Sequence, residues 1–303
     1  MNSLGTILVI IDPTVLRDHV IDKAKLLACR AKAKVELFIN CKVIGQEGSY
    51  YSPDIDTANN QSTKKGSADL QEFLISELKN EFSSLGLPVN IELCHEEDLA
   101  QSILDKVDRI TPDLVLKSTH RHNLLRQTLI TNTDWQLIRM CSVPLLLVKA
   151  QGWSKSGHVV AAVDPMHSSS EQGSLDDQLI SVAEYITKIL GHQLSVFHAY
   201  YYPEFGNQTS GQNSTQSRDM RMSHNHKMYE LLSRHNVDPE FVKIANGDTK
   251  TEMLHYLEKV GANMLVVGAL ARSKLERIVV GSTAEKMLDD IPCDLLILKS
   301  NGD

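Results

Sequence analysis

The chain has 303 residues, 42% of them hydrophobic and 23% charged, which suits two globular domains of roughly 150 residues each. Its net charge of −7 argues against a nucleic acid or an anionic membrane as the main partner, because both attract basic surfaces. The sequence has no apolar run near the ~20 residues that span a bilayer, no leader pattern and no C-x-x-C pair among its five cysteines. We therefore expect a cytoplasmic protein with reduced thiols.

Each half of the chain begins with an apolar, β-branched run that ends in Asp-Pro, over residues 6–13 and 158–165. Because polar residues do not alternate in these runs, each predicts a strand that is buried on both faces of a parallel sheet. Helical periodicity follows in both halves, and then a second apolar run. These segments predict helices at 15–33 and 175–190, and strands at 34–40 and 193–200.

Polar stretches come next, over residues 45–65 and 203–224, and their Ser, Asn, Gln and Gly content predicts loops. Beyond them the pattern predicts helices at 68–85 and 228–235, third strands at 89–94 and 240–244, and helices at 98–107 and 249–260. Strands that alternate with helices indicate an α/β fold, with a doubly wound parallel sheet and right-handed crossovers in each half. Ligands of such sheets bind beyond the carboxyl ends of the strands, where the strand order reverses.

The two halves also share a repeat, because residues 113–149 align without a gap to residues 263–299 at an offset of 150. Identities at this offset include Thr133 with Thr283 and Leu145 with Leu295. Each copy predicts a strand, a loop, a helix and a final strand. With residues 151–157 as the linker, the repeat predicts one domain over 1–152 and a second over 156–303.

Small and hydroxyl residues follow the fourth strand of the second half. Gly268 ends the strand, and Gly281, Ser282 and Thr283 come shortly after it. The S-x-x-E spacing from Ser282 predicts a capping box, so a helix should begin here, and its free N–H groups suit phosphate oxygens. Asp164 can hold a ribose hydroxyl or a metal ion. The alternative is that the glycines only form turns and that Ser282 only caps a helix.

The pattern G-x-x-G-x9-G-[ST] after the fourth strand resembles the adenine-nucleotide signature of the universal stress protein family. The resemblance covers nearly the whole chain twice, as in tandem-type members. It implies two Rossmann-like (adenine nucleotide alpha hydrolase-like) domains, each with a five-stranded parallel sheet, and a site for ATP or a related adenine nucleotide with Mg²⁺. The resemblance assigns this site to Asp164, Ala199, Val267, Gly268, Ala271, Gly281, Ser282 and Thr283.

The family's members pair through the last strand, so the resemblance also implies that residues 145–148 and 295–298 meet within one chain as a pseudo-dimer. The sequence leaves open whether the chain stays monomeric or pairs again as a homodimer. No residue in the sequence is predicted to contact a nucleic acid or a membrane.

The chain departs from the family pattern in both halves. Ala271 occupies the position of the second glycine, where a backbone with positive φ would cost alanine about 1 kcal/mol. In the first half the counterparts of Gly268, Ala271, Gly281 and Ser282 are Ser118, Arg121, Thr131 and Asn132. Asp12 survives there, but the glycines do not. We therefore expect nucleotide binding to be lost from the first half.

Two H-x-H pairs, His120 with His122 and His224 with His226, have the spacing of shared metal ligands. Since no further ligand has recognisable spacing, exposed loop histidines are the favoured interpretation. Three basic residues after the fourth strand either steer an anion toward Gly268 or form a solvated helix face: Arg272, Lys274 and Arg277.

Three functions remain open from the sequence. The first is a stress-response protein whose second half binds an adenine nucleotide as a signal. The second is a scaffold that has lost nucleotide binding and acts through its surface and polar loops, which the alanine at position 271 favours. The third is very slow ATP hydrolysis, although the sequence shows no positioned base beside Asp164 and no Walker A motif.

Overall fold

The computed structural model of the chain describes residues 3–11, 19–41, 67–119, 130–166, 170–202, 211–269 and 290–299. The chain divides into two compact units, one formed by Leu4–His120 with Thr131–Ala150 and the other chiefly by Gln151–Asp303. In each unit a parallel sheet of five strands is flanked by helices, which confirms the predicted α/β fold. The domain limits 1–152 and 156–303 stay a prediction.

The first unit has the strand order β3-β2-β1-β4-β5, and its neighbouring strands are parallel. Its elements are β1 (Thr6–Ile11), α1 (His19–Ala31), β2 (Lys34–Asn40), α2 (Ser67–Ser83), β3 (Val89–Cys94), α3 (Leu99–Ile110), β4 (Leu114–Ser118), α4 (Asn132–Met140) and β5 (Leu145–Val148).

The second unit repeats this topology, with the parallel order β8-β7-β6-β9-β10. Its elements are β6 (His158–Ala162), α5 (Ser170–Leu190), β7 (Gln193–Tyr200), α6 (Gly211–Leu232), a short 3-10 helix (Pro239–Phe241), β8 (Val242–Asn246), α7 (Thr249–Val260), β9 (Ala262–Ala269) and β10 (Asp294–Lys299).

The central strands form the core of each unit. Every residue of β4 and β5 is buried, and so are five of the six residues of β1. Helices cover both faces of such sheets, which explains why these strands have no polar alternation. The strand order reverses between β1 and β4, and likewise between β6 and β9. The carboxyl ends of these strands are therefore the places where a ligand is expected.

Local sequence sets the ends of the described helices. The carboxylate of Asp98 accepts a hydrogen bond from the backbone N–H of Gln101 at the start of α3, and Asp248 caps α7 in the same way through Thr251. Helix α7 ends at Gly261, whose φ of 61° is left-handed and favours glycine. These caps explain why the predicted bounds of α7 agree with the observed ones.

One loop prediction was wrong. Residues 203–224 were expected to form a loop, but α6 begins at Gly211 and runs to Leu232. The buried side chains along its described length include His224, Met228 and Leu231, which recur at helical spacing. Because one of these three positions is a histidine, the apolar stripe is too short to be recognised in the sequence. The other predicted loop, residues 45–65, lies outside the described residues.

Two smaller boundaries also differ from the prediction. The third strand of the second half was expected at 240–244, but Pro239–Phe241 forms a 3-10 helix and β8 begins at Val242. Proline fixes φ and lacks an N–H, which favours a helical first turn over a strand. Helix α5 begins at Ser170 rather than at residue 175.

The predicted linker is held against the second unit. The side-chain amide of Asn263 donates to the carbonyl oxygen of Ser154 at 2.7 Å, and its oxygen accepts from the N–H of Ser154 at 3.0 Å. The indole N–H of Trp153 donates to the buried carboxylate of Asp294 at 2.8 Å. A side chain at Gly157 would overlap Asn263, so glycine is required there.

Candidate functional site

A cavity of about 270 Å³ opens at the carboxyl ends of β6, β7 and β9 in the second unit. This volume is close to the lower end of the roughly 300–1,000 Å³ that is typical of small-molecule pockets. The cavity is lined mainly by apolar side chains from the strand ends and from helices α5 and α7: Ala162, Val163, Leu175, Leu179, Phe197, Ala199, Met253, Val267 and Gly268. Its polar lining comes from Asp164, Asp176, His198 and Thr249.

Asp164 lies two residues after the end of β6 and has a half-exposed side chain. Its backbone N–H donates to the carboxylate of Asp176 at 3.2 Å, and Asp176 itself is buried on α5. This bond holds the turn after β6 against the helix. The carboxylate of Asp176 thus fixes the backbone, while the carboxylate of Asp164 lines the cavity and is partly exposed to solvent.

His198 lies beside the predicted Ala199 at the end of β7 and is almost fully buried. Its Nδ1 lies 3.1 Å from the carbonyl oxygen of Val163 and 4.0 Å from Oδ1 of Asp164. Its Nε2 lies 2.8 Å from Nδ1 of His224 on α6. Burial lowers the pKa of His198 below its usual range, against the opposing effects of the Val163 hydrogen bond and of Asp164.

Gly268 at the end of β9 has a structural reason to be glycine. A methyl group at this position would lie 2.6 Å from Cδ2 of Leu175 on α5. The helix therefore packs directly on the strand backbone. Packing alone accounts for the lack of a side chain at Gly268, a reason that differs from both the ligand and the turn interpretations of the sequence.

The structure brings four of the eight predicted site residues together around this cavity: Asp164, Ala199, Val267 and Gly268. The other four, Ala271, Gly281, Ser282 and Thr283, lie outside the described residues. The histidines at 120 and 122 and the basic residues Arg272, Lys274 and Arg277 also lie outside them.

The prediction that His224 is an exposed loop histidine was wrong. It lies within α6, is buried, and bonds to His198, whereas His226 two residues later is exposed. Residues two apart on a helix point in different directions, so this H-x-H pair does not converge on one point. Among the residues described, no group of histidine, cysteine, aspartate or glutamate side chains is arranged to hold a metal ion.

The sequence reasoning missed several residues that line the cavity, notably Asp176, His198 and Thr249. Asp176 lies between Leu175 and Leu179 on the sheet-facing side of α5, where a carboxylate is unexpected. That exception to the apolar periodicity was the signal that could have identified it. Thr249 begins the helix after β8, and no motif marks it.

The corresponding strand end of the first unit carries an internal ion pair. Lys117 occupies the position equivalent to Val267, and its Nζ lies 2.7 Å from Oδ1 of Asp134, which is fully buried at the start of α4. The other oxygen of Asp134 accepts from the N–H of Thr131 at 2.7 Å and from its hydroxyl at 2.9 Å. An acidic side chain of the protein itself thus occupies this helix N-terminus.

Thr131 and Asp134 form a reciprocal capping box, in which the Thr131 hydroxyl also accepts from the N–H of Asp134 at 3.2 Å. Thr131 has an extended backbone with φ of −87°, which suits a β-branched residue. The residues 150 positions later are Gly281 and Ala284, whose side chains cannot accept a hydrogen bond.

Comparison with known proteins identifies this architecture. Residues 4–149 and 156–299 each match the sequence profile of the Universal stress protein family. The chain is 26% identical over 310 residues to Universal stress protein E of Salmonella typhi and of Escherichia coli strain K12, which covers 99% of this chain and 95% of each relative. A Universal stress protein E homolog of Haemophilus influenzae is 22% identical over 97% of this chain and 96% of its own.

Solved structures share the fold along the full length. A putative universal stress protein from Pseudomonas aeruginosa UCBPP-PA14 superposes with a TM-score of 0.77 at 22% identity, over 98% of this chain and 94% of the other. A universal stress protein from Archaeoglobus fulgidus DSM 4304 gives a TM-score of 0.64 at 14% identity, over 98% of both chains. The resemblance to a tandem-type member is thereby confirmed. Within the described residues, none of the helices combines the length and the apolar character that crossing a bilayer requires.

Proposed function

The chain belongs to the universal stress protein family, and we propose that its second half binds ATP or a related adenine nucleotide as a signal in a stress response. The observation that carries this proposal is the cavity beyond β6, β7 and β9. Four residues that the family signature assigns to the nucleotide line this one cavity. The family signature and the point where the strand order of the sheet reverses therefore indicate the same cavity.

The lining of the cavity favours the adenosine part of the nucleotide. Its described walls carry two carboxylates, Asp164 and Asp176, and many apolar groups, but no lysine or arginine. Apolar walls suit the faces of a purine ring, and an ionised carboxylate such as that of Asp164 accepts hydrogen bonds from ribose hydroxyls. Phosphate groups would be repelled by these carboxylates. We therefore assign the phosphates to Gly281, Ser282 and Thr283, which follow Gly268 in the family signature.

Calorimetric titration of the full chain with ATP, with and without Mg²⁺, tests the proposal. We expect saturable binding by the wild type and none by Gly281→Val, because branched side chains prevent close approach of the backbone to a phosphate. The matched control is Asn132→Ala, which alters the first-half counterpart of Ser282 at an exposed position. It should leave affinity unchanged, whereas Ser282→Ala should reduce it.

An absence of adenine-nucleotide binding at millimolar concentration would contradict the proposal and favour a scaffold that acts through its surface. Slow release of phosphate from ATP would add hydrolysis to binding only if Asp164→Ala abolished it. Release that this change does not affect would come from another site or another protein.

Two further sequence predictions belong to the proposal. We assign the protein to the cytoplasm, and we expect the last strands of the two halves to pair within one chain. A further homodimer would double the mass that light scattering measures for the full chain in solution. Subcellular fractionation tests the location.

A further inference from the structure

Two stacked histidines connect helix α6 to the wall of the cavity. The rings of His198 and His224 stack with centroids 5.0 Å apart, and the ring of Tyr200 stacks on His224 at 4.2 Å and 13°. His198 and Tyr200 are two apart on β7 and so point to the same face of the sheet. We call His198 and His224 the histidine pair. His198 lines the cavity, so the histidine pair joins α6 to the proposed ligand site.

The hydrogen bonds of the histidine pair fix its tautomers at neutral pH. A carbonyl oxygen can only accept, so Nδ1 of His198 carries its hydrogen and donates to Val163 at 3.1 Å. Nε2 of His198 is then a lone pair and accepts from the Nδ1–H of His224 at 2.8 Å. The chain of bonds thus runs from α6 through β7 to the end of β6. Val163 directly precedes Asp164, so this chain ends beside a residue of the proposed site.

The first unit lacks this arrangement. Ile10 and Ala162 occupy equivalent positions in the first strands of the two halves, and they pair with Phe38 of β2 and Phe197 of β7. The residues that follow these phenylalanines, Ile39 and His198, are therefore equivalent. Ile39 is fully buried, and the counterpart of Tyr200 is the buried Cys41. An apolar residue therefore satisfies the fold at this position. The histidine occurs in the unit that has the proposed nucleotide site.

We infer that the histidine pair is a proton-dependent positioning device. When both rings are neutral, the pair holds α6 on β7. In acid, protonation of the pair loosens this contact and weakens nucleotide binding. This inference rests on the proposed function. Asp164 faces the pair from the end of β6, and Tyr200 faces it from β7. Asp176 lines the same cavity from α5. The carboxylate of Asp164 favours the protonated form of the histidine pair, and burial of the rings disfavours that form.

The direction of the pH effect follows from the geometry and from the pKa values of both rings. Burial lowers the pKa of His198 and of His224 from 6.5, and for His224 the neighbouring ring of His198 lowers it further. The pair can keep its hydrogen bond after taking up one proton, but a second proton removes the only acceptor. The pKa values of both rings are lower in the folded protein than in the unfolded chain. The stabilisation that the neutral histidine pair gives to the contact of α6 with β7 is therefore complete above about pH 6.5. It is lost as the pH falls through the pKa values of the folded protein.

Hydrogen–deuterium exchange and nucleotide titration, both between about pH 8 and about pH 5, test the inference on the full chain. The conservative variant is His224→Gln, which keeps an N–H donor for His198 but does not titrate. The matched control is His226→Gln, which removes an exposed histidine from the same helix. We expect amide exchange in residues 216–232, corrected for its intrinsic pH dependence, to rise in acid for the wild type and the control but to rise less for His224→Gln.

Nucleotide affinity should follow the same order. In acid the nucleotide affinity of the wild type and of His226→Gln should fall more steeply than that of His224→Gln. The difference in slope can reach about tenfold per pH unit, which is the limit when binding is linked to one proton. Because a terminal phosphate itself titrates near pH 6, only the difference between variants is diagnostic. Equal pH dependence of exchange in the wild type and His224→Gln would overturn the inference. Exchange that follows the expected order without any nucleotide binding would support the histidine pair and contradict the proposed function.

Discussion

The two halves of the chain share one topology but end their fourth strands differently. In the first half Lys117 and Asp134 form a buried ion pair, and Thr131 and Asp134 close a capping box. In the second half the equivalent strand residue is Val267, which lines a cavity. In the sequence Gly281 and Ala284 are the counterparts of Thr131 and Asp134, so the capping box predicted from Ser282 would begin one residue later. The first half therefore supplies its own acidic side chain at the helix start.

This difference shows how the start of a helix can be satisfied from within the chain. A helix N-terminus needs acceptors for its free N–H groups, and either a ligand or a side chain can provide them. Asp134 provides them permanently in the first half, and Lys117 balances its buried charge. Four predictions test the contrast between the halves, in order of decreasing effect.

The largest effect is expected when the buried carboxylate of Asp134 loses its ion-pair partner, Lys117. Lys117→Met removes the ion-pair partner of the fully buried Asp134 carboxylate, so the free energy of unfolding of the first half should fall by about 3–5 kcal/mol. Denaturant unfolding can be followed by the fluorescence of Trp135 in a Trp153→Phe background, since the chain has only these two tryptophans.

The double variant Lys117→Val with Asp134→Ala is its control, because it introduces the second-half residues at both positions. It should recover most of the loss and retain a cost of about 1 kcal/mol from the missing cap. If Lys117→Met alone costs less than about 1 kcal/mol, the ion pair does not hold this strand end together.

The next effect concerns the carboxylate that follows the first strand of each half. Asp164→Asn should lower ATP affinity by about 10- to 100-fold, because a hydrogen bond to a charged group contributes roughly 1.5–3 kcal/mol. Calorimetry measures the change. The same substitution at Asp12 in the first half should leave the affinity as it was, and equal losses from both would mean that the halves bind alike.

A smaller effect is expected at the contact between β9 and α5. Gly268→Ala should cost about 1 kcal/mol of stability, because the closest contact of the new methyl group, at 2.6 Å, is with the terminal Cδ2 of Leu175, although Cγ of Leu175 at 3.2 Å also has to shift. A double-mutant cycle with Leu175→Ala, followed through Trp153 in a Trp135→Phe background, measures the coupling. Strict additivity of the two substitutions would show that packing does not determine the glycine.

The smallest effect is expected at Ala271. Restoring the family glycine should raise ATP affinity by no more than about fivefold, since the strain of alanine in a left-handed backbone is about 1 kcal/mol. Arg121→Gly at the equivalent first-half position is the control and should create no second site in the titration. Binding that appears only in Ala271→Gly would mean that this alanine inactivates the site.

Much of the fold could be predicted from local patterns. The strands at 34–40 and 89–94 and helix α7 have the predicted bounds, because apolar runs and caps act over a few residues. The part of helix α6 before residue 225 was predicted as a loop, because His224 replaces an apolar residue in its buried stripe. At the candidate site, the Asp-Pro after the first strand and the glycine motif pointed to Asp164 and Gly268, and both line the cavity. Asp176 and His198 were missed because they belong to no motif and lie on different elements.

The sequence by itself determined the duplicated α/β fold, the family and the asymmetry between the glycine-bearing and glycine-lacking copies, since periodicity and short motifs record these directly. Only the tertiary structure decided what each polar side chain does. It joined His198 to His224 across 26 positions of chain and turned Lys117 and Asp134 into an ion pair. Burial and hydrogen bonding depend on which elements meet in space, and no local pattern in the sequence contains that information.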